Sequence, residues 1–216
     1  MPILFKFRLG TYLGWKEWVY EELSNTGFMV ALQQAGVLKA IVSSRCLSNY
    51  RDLFNFHHLV RWWCTITHTF FLSCSEISVT LEDVANQLLL PILSDVDSSN
   101  IELSPEKEAV EAELKKGMSG NATLSHLVGA FSKAFDVVRT AFVTFWLCKF
   151  IFGTHPHYAV KPLYFWLATK IYVGVSLPLA PMFLGHLYVQ LDIQQSDELQ
   201  AGSCHIVTTI AHSTIL

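Results

Sequence analysis

The stretch Thr67–Pro91 reads THTFFLSCSEISVTLEDVANQLLLP, and its periodicity changes partway along. Up to Thr80 it is rich in Thr, Phe, Ile and Val, whose branched or aromatic side chains suit a pleated surface. Thr67–Leu72 and Ile77–Thr80 therefore read as two strands, and Ser73-Cys74-Ser75-Glu76 as the turn between them: a β-hairpin. From Leu81 the apolar residues Leu81, Val84, Ala85 and Leu88 share one face of a helix. Thr80 stands three residues before Asp83, a capping box with Asp in the place more often held by Glu or Gln. The Thr oxygen takes an orphan amide of the first turn, and the carboxylate opposes the helix dipole. Pro91 stops the helix.

Outward from this pivot both flanks are helical. Upstream, Leu9, Tyr12, Trp15, Val19 and Leu23 fall three or four apart, a second helix is expected over Phe28 to Ile41, and Leu53, Phe56, Val60 and Trp63 give a third. On that third helix Arg51, Asp52, Asn55 and Arg61 take the opposite face. Downstream, Leu93–Met118 is polar, and between Leu81 and Glu113 nine Asp or Glu stand against the single Lys107. Ser104-Pro105-Glu106 opens a weak helix there, and Gly117–Asn121 ends the stretch. Then Leu124, Leu127, Phe131, Phe135, Val138, Phe142 and Phe145 make the longest periodic run, closing near Gly153, with Thr154–Tyr158 as a loop. Pro162 starts a helix carrying Leu163, Trp166, Leu167 and Ile171, and Pro181 a last one carrying Leu184, Leu187, Tyr188 and Leu191. The expected architecture is mainly α: a helical domain with one β-hairpin between an N-terminal helical layer and a C-terminal helical bundle. Residues 1–92 hold the first helices and the hairpin, 93–121 an acidic linker, 122–192 the later helices, and 193–216 a divergent tail.

Of 216 residues, 51% are hydrophobic and 15% charged, with a net charge of −3. Such a chain builds a large core, and it lacks the basic surplus that supplies non-specific nucleic-acid affinity. Nucleic acid is expected to be at most an indirect partner. A helix-turn-helix reading of Thr80–Pro91 fails at the next segment, because Ser94–Ser99 is polar and acidic where base-reading side chains are needed. Ile171–Leu191 carries no Asp, Glu, Lys or Arg, yet Pro178, Pro181, Gly174, Gly185 and His186 argue against a membrane span. The five cysteines are scattered and never spaced CxxC, which suits a reducing compartment, cytoplasm or nucleus.

Chemistry is harder to find. Cys64, His68 and Cys74, with His57 and His58 upstream, do not have the spacing of a zinc site. There is no GxSxG elbow, no glycine-rich phosphate loop and no HExxH helix. The expectation is no catalytic residue, no metal, no cofactor and no small-molecule substrate. Trp15, Trp18, Trp62, Trp63, Trp146 and Trp166 fill a core or anchor a partner, and so high an apolar fraction leaves enough for a protein-binding patch.

Several blocks resemble the plant mobile domain family, sometimes labelled aminotransferase-like. They are Ala35-Gly36-Val37, Leu59-Val60-Arg61-Trp62, Thr67-His68-Thr69-Phe70, Glu76 with Val79–Ala85 and Leu90-Pro91, then Ala141–Phe152 and Leu179–Asp192. The motif residues this nominates, as structural or interaction positions, are Trp62, His68, Phe70, Glu76, Leu81, Glu82, Asp83 and Pro91. Ser75 and Leu89 stand where the family usually carries Gly, and Ala201–Leu216 does not look like its continuation, so a truncated or divergent member is expected. The resemblance implies a domain of transposable elements and of host proteins in the nucleus, acting in gene silencing, meristem or genome maintenance. It further implies a protein partner, with phosphatase-like proteins as one class. The aminotransferase label gains no support, since no lysine has a pyridoxal-binding context.

Overall fold

The computed structural model describes residues 15–46, 53–94, 135–153 and 161–199, with single helical positions at 109, 112 and 215. The architecture is mainly helical with a small sheet in the middle. In chain order the elements are α1 (Trp15–Leu23), α2 (Thr26–Gln34), α3 (Leu38–Ser44), α4 (Leu53–Arg61), β1 (Trp63–Cys64), β2 (Thr69–Phe71), β3 (Glu76–Ile77), α5 (Leu81–Leu88), α6 (Phe135–Trp146), α7 (Phe165–Tyr172) and α8 (Leu179–Leu199). The expected positions Leu9, Tyr12, Leu124, Leu127 and Phe131, the linker beyond Ser94 apart from positions 109 and 112, the loop Thr154–Tyr158 and the tail Ala201–Thr214 lie outside the described residues.

The helix expected over Phe28–Ile41 is two helices. Gly36 takes φ +75°, and the Val37 and Gly36 amides donate to the Leu32 and Gln33 carbonyls, each at 3.0 Å. That bond pair closes a helix on a left-handed residue. The chain then turns by 110° into α3. A Cβ on Gly36 would stand 3.4 Å from the Pro91 Cβ, an ordinary contact, so the left-handed backbone and not crowding calls for glycine here.

The hairpin is present but belongs to an antiparallel three-stranded sheet of order β1-β2-β3. Trp63, expected to end the third helix, instead pairs with Phe70, because α4 stops at Arg61 and the chain extends. Thr67 and His68 form the β1–β2 turn, and Thr80 caps α5 instead of ending a strand. The capping box is complete: the Asp83 amide donates to the Thr80 Oγ1 at 3.2 Å, and the Thr80 amide to the Asp83 carboxylate at 2.8 Å.

Further corrections fall on the last helices. A 3-10 turn over Pro162–Tyr164 precedes α7 and shifts its phase, so Phe165, Ala168 and Ile171 face inward while Leu163 is 77% exposed and Trp166 lies at the surface. The last helix begins at Leu179, two residues before Pro181, and the Ala180 amide donates to the Pro91 carbonyl at 2.9 Å. Proline is tolerated there because first-turn amides have no intrahelical acceptor. α8 then runs on to Leu199. At its far end α6 passes into a π-helical turn, Leu147–Ile151, which periodicity did not suggest.

The core forms where α1, α2, α6 and α7 meet. Trp15 stacks on Phe142 at 5.0 Å and touches Phe145 and Phe150 at 4.9 and 5.0 Å. Its indole N–H donates to the Ser44 Oγ at 3.1 Å, so the one polar atom of that ring is satisfied inside the core. Cys148, on the π turn, is buried, and burial pushes its thiol up to about 12. No single helix among the described residues is long and apolar enough to cross a membrane. α2 and α3 reach that hydropathy only as a bent pair, and their Phe28, Leu32 and Ile41 are buried in the core.

Candidate functional site

Strand alternation divides the motif residues into two faces. The register pairs Trp63 with Phe70 and Phe70 with Ile77, so these three side chains point to one side of the sheet. Trp63 is buried against α8, Phe70 is buried beside Trp63 with ring centroids 4.8 Å apart, and Ile77 is half exposed at the edge. The next row is Trp62, Phe71 and Glu76, joined by the Phe71 amide on the Trp62 carbonyl at 2.9 Å and by the Phe71–Glu76 pairing. These side chains point outward. Trp62 is 54% exposed and Phe71 47%, and Ile66 at the tip of the β1–β2 turn is 88% exposed. Glu76 accepts a 2.5 Å hydrogen bond from the Thr69 hydroxyl, which places an acidic acceptor beside the aromatic pair.

The inner face is clamped to α8. Tyr188, Asp192 and Gln195 are spaced four and three residues apart, so they project from one side of that helix. The Trp63 Nε1 donates to the Asp192 Oδ1 at 2.7 Å, and the Gln195 Nε2 to the Trp63 carbonyl at 2.5 Å. The Tyr188 hydroxyl donates to the Val79 carbonyl at 2.7 Å. His68 adopts φ +54°, with its amide on the Cys64 carbonyl at 2.8 Å. The left-handed residue closes the tight β1–β2 turn and lays the imidazole on Tyr188, with centroids 4.9 Å apart and planes within 16°. The His68 Nε2 then lies 3.5 Å from the Asp192 Oδ2, an ion pair when the ring is protonated. The Ser78 hydroxyl donates to the His68 carbonyl at 2.7 Å. The polar atoms of the clamp are thus spent on holding the clamp together.

The remaining nominated residues sit one element further on. Asp83 closes the capping box, and its bonds from the Thr80 hydroxyl and amide hold its carboxyl below the usual carboxylate range. Leu81 is partly buried on the inner side of α5, Glu82 is exposed on its first turn, and Pro91 carries the carbonyl that receives Ala180. Cys64, considered as a metal ligand in the sequence, has its thiol held below the usual range by the Thr67 hydroxyl and then by the Thr67 and Ile66 amides. Among the described residues no three His, Cys, Asp or Glu side chains are grouped so as to hold a metal ion.

Periodicity missed Trp63, Tyr188, Asp192 and Gln195 as one unit. Tyr188 and Asp192 were legible only as residues of a final helix, Gln195 fell in the stretch 193–216 expected to be a divergent tail, into which α8 in fact continues, and Trp63 read as a helical core position. No spacing rule connects Trp63 with a carboxylate 129 residues later.

The family model described as Plant mobile domain matches residues 36–209. The match opens on the left-handed Gly36 and takes in every residue of the sheet and of the α8 clamp. No curated protein and no solved structure matches the chain.

Proposed function

The chain belongs to the plant mobile domain family, a transposon-related domain, and from that premise we propose that it is a non-enzymatic protein-interaction domain, acting in nuclear complexes linked to transposable-element silencing or genome maintenance. One observation carries the interaction reading: the outward row of the sheet, where Trp62 and Phe71 stand exposed beside each other with Ile66 at the turn and Glu76 at the end. Two neighbouring aromatics on a sheet held rigidly from behind make the kind of anchor that dominates protein interfaces, and aromatic side chains are enriched there. A net charge of −3 supports a protein partner over a phosphate backbone. A phosphatase-like protein is the partner class that we favour.

The test is capture of proteins from plant nuclear extract on the purified full chain, with and without nuclease. It is run in parallel with the double variant Trp62→Ser, Phe71→Ser. Retention of a discrete partner that survives nuclease and is lost with the double variant is the expected result. Retention abolished by nuclease, with steep weakening between low and physiological salt, would replace this reading with that of a nucleic-acid-binding or transposase-accessory domain.

A further inference from the structure

We propose that the outer face of α8 is a self-association surface, on which a second copy of this chain lays its own α8 antiparallel, with Val189 at the two-fold axis. It is a different surface from the outward row of Trp62 and Phe71, which stands on the far side of the sheet from α8.

α8 carries two stripes of the same spacing. Ala180, Phe183, Leu187 and Leu191, continued by Gln194, are buried against the rest of the chain. Met182, Gly185, Val189, Ile193 and Ser196 follow the same steps of three, four, four and three residues, each two positions further on. Two positions are a rotation of about 200°, so the second stripe lies on the opposite side of the helix from the first. All five of its residues are exposed, Val189 by 54% and Ile193 by 50%, and none carries a charge. A helix at a protein surface turns charged and polar residues to that side, whereas one that is apolar all round is covered on both.

The outer stripe fits a copy of itself. Its spacing reads the same in both directions about Val189, so an antiparallel copy sets Val189 on Val189, Ile193 on Gly185 and Met182 on Ser196. The last two pairs set a large side chain against a small one, as ridges packed into grooves require. Gly185 leaves a notch: a Cβ there would have no neighbour within 4 Å. Ser196 turns its hydroxyl back to the Asp192 carbonyl at 2.9 Å, so it offers Met182 a small group whose hydrogen bond is already made. With no charge in the stripe, the two-fold brings no like charges together at its centre. The polar side chains along its flanks are engaged within the chain, His186 edge-on to Phe152 and Tyr188 and Asp192 on the sheet. A partner of another kind would set no condition of symmetry on this face, whereas a two-fold interface requires a patch that is its own complement. Met182 to Ser196 covers about 21 Å of helix, and one helix pair of that length buries less than the ~1,600 Å² of a standard interface. The dimer is therefore weak and depends on concentration.

The test is sedimentation velocity on the purified full chain, over a series from low micromolar to several hundred micromolar. The expected result is a shift from the mass of one chain toward that of two as concentration rises. Val189→Glu puts two carboxylates on the axis and should raise the dissociation constant by about tenfold or more. Its side chain is exposed on a helix, so the thermal midpoint should stay close to that of the wild-type chain. Gly185→Leu fills the notch and should also break the dimer, and Ile193→Ala added to it should restore association by making room on the facing copy. A chain that stays monomeric throughout overturns the proposal and leaves the stripe to a different protein. So does a dimer that survives Val189→Glu, or one lost instead in Trp62→Ser, Phe71→Ser, which would put the contact on the sheet. A double variant of Gly185 and Ile193 that stays monomeric overturns the antiparallel pairing.

Discussion

Two clusters in this molecule are each built around a completely buried tryptophan, and different forces hold them. Around Trp15 the neighbours are Phe142, Phe145, Phe150 and Trp18, all aromatic, with a single polar bond to Ser44. Around Trp63 the neighbours are Phe70, His68 and Tyr188, and Asp192 and Gln195 bind the ring and the backbone of the same residue. The first cluster is stabilised by area removed from water, a force without direction and close to proportional to size. The second depends on donor and acceptor geometry, which one changed atom can break. Its consequence is functional: the outward row of Trp62 and Phe71 is exposed because the inward row is pinned to α8.

The contrast breaks most visibly at Phe142. This ring is completely buried, stacks on Trp15 and meets the Trp18 edge at 5.1 Å. Phe142→Ala should destabilise by about 3–5 kcal/mol, as lost transfer energy plus an uncollapsed cavity, measured by urea unfolding. A loss below half of that would mean the cluster repacks. Trp63→Phe comes next. It keeps much of the ring but removes the bond to Asp192, and should cost about 1.5–3 kcal/mol, the range for a hydrogen bond to a charged group. Combined with Asp192→Asn in a double-mutant cycle, it should show coupling, whereas Phe142→Ala with Asp192→Asn should add. Additivity in both pairs would dissolve the distinction between the clusters.

Legibility in the sequence divides the same way. Apolar periodicity located α1, α4, α5, α6 and α8, since a helix that buries one face must repeat at three and four. It erred where the phase or direction changed for a local backbone reason: at Gly36, at the 3-10 turn before Phe165, and at Arg61, after which Trp63 became a strand residue. The Thr80–Asp83 box was legible because both partners lie within one helical turn. The clamp was not, because His68, Tyr188 and Asp192 meet through tertiary folding alone. The motif residues Trp62 and Glu76 could be named by resemblance, yet their common outward row depends on a register that no pattern displayed.

The capping box sharpens the comparison on a smaller scale, as a directional device that did appear in the sequence. Thr80→Ala should cost about 1 kcal/mol, the usual loss for an N-cap hydroxyl, with no effect on the clamp. Asp83 adds a pH signature. Its carboxyl is held below its ordinary value in the folded chain, first by the Thr80 hydroxyl and then by the Thr80 amide. A depressed folded value means that its stabilisation is fully present above the unfolded carboxylate range and is lost as pH falls through the lowered value. The stability gap between the wild-type chain and Asp83→Asn should therefore narrow on acidification. A gap that stays constant in urea melts down to acid pH would show that the charge contributes nothing to the box.

The smallest effect expected is also the one with an unusual sign. Among the described non-glycine residues only His68 and Leu89 have positive φ, at 54° and 56°. His68 is held there by its ring on Tyr188 and its carbonyl on Ser78, so its strain is used by the clamp. Leu89 ends α5 in the left-handed conformation, at the position where the family usually carries Gly, and its side chain is 39% exposed. Ser75, the other position of that kind, has no positive φ and needs no glycine. A left-handed L residue costs roughly 1–2 kcal/mol, while glycine loosens the unfolded chain by roughly 0.4–1 kcal/mol. Leu89→Gly should therefore stabilise by about 0.5 kcal/mol, less whatever the half-covered leucine contributes. His68→Gly, with the same backbone geometry, should destabilise, because it removes the stack and the pair with Asp192. If both substitutions moved thermal unfolding in the same direction, backbone strain and clamp would not be separable, and the two left-handed residues would have to be assigned the same structural role.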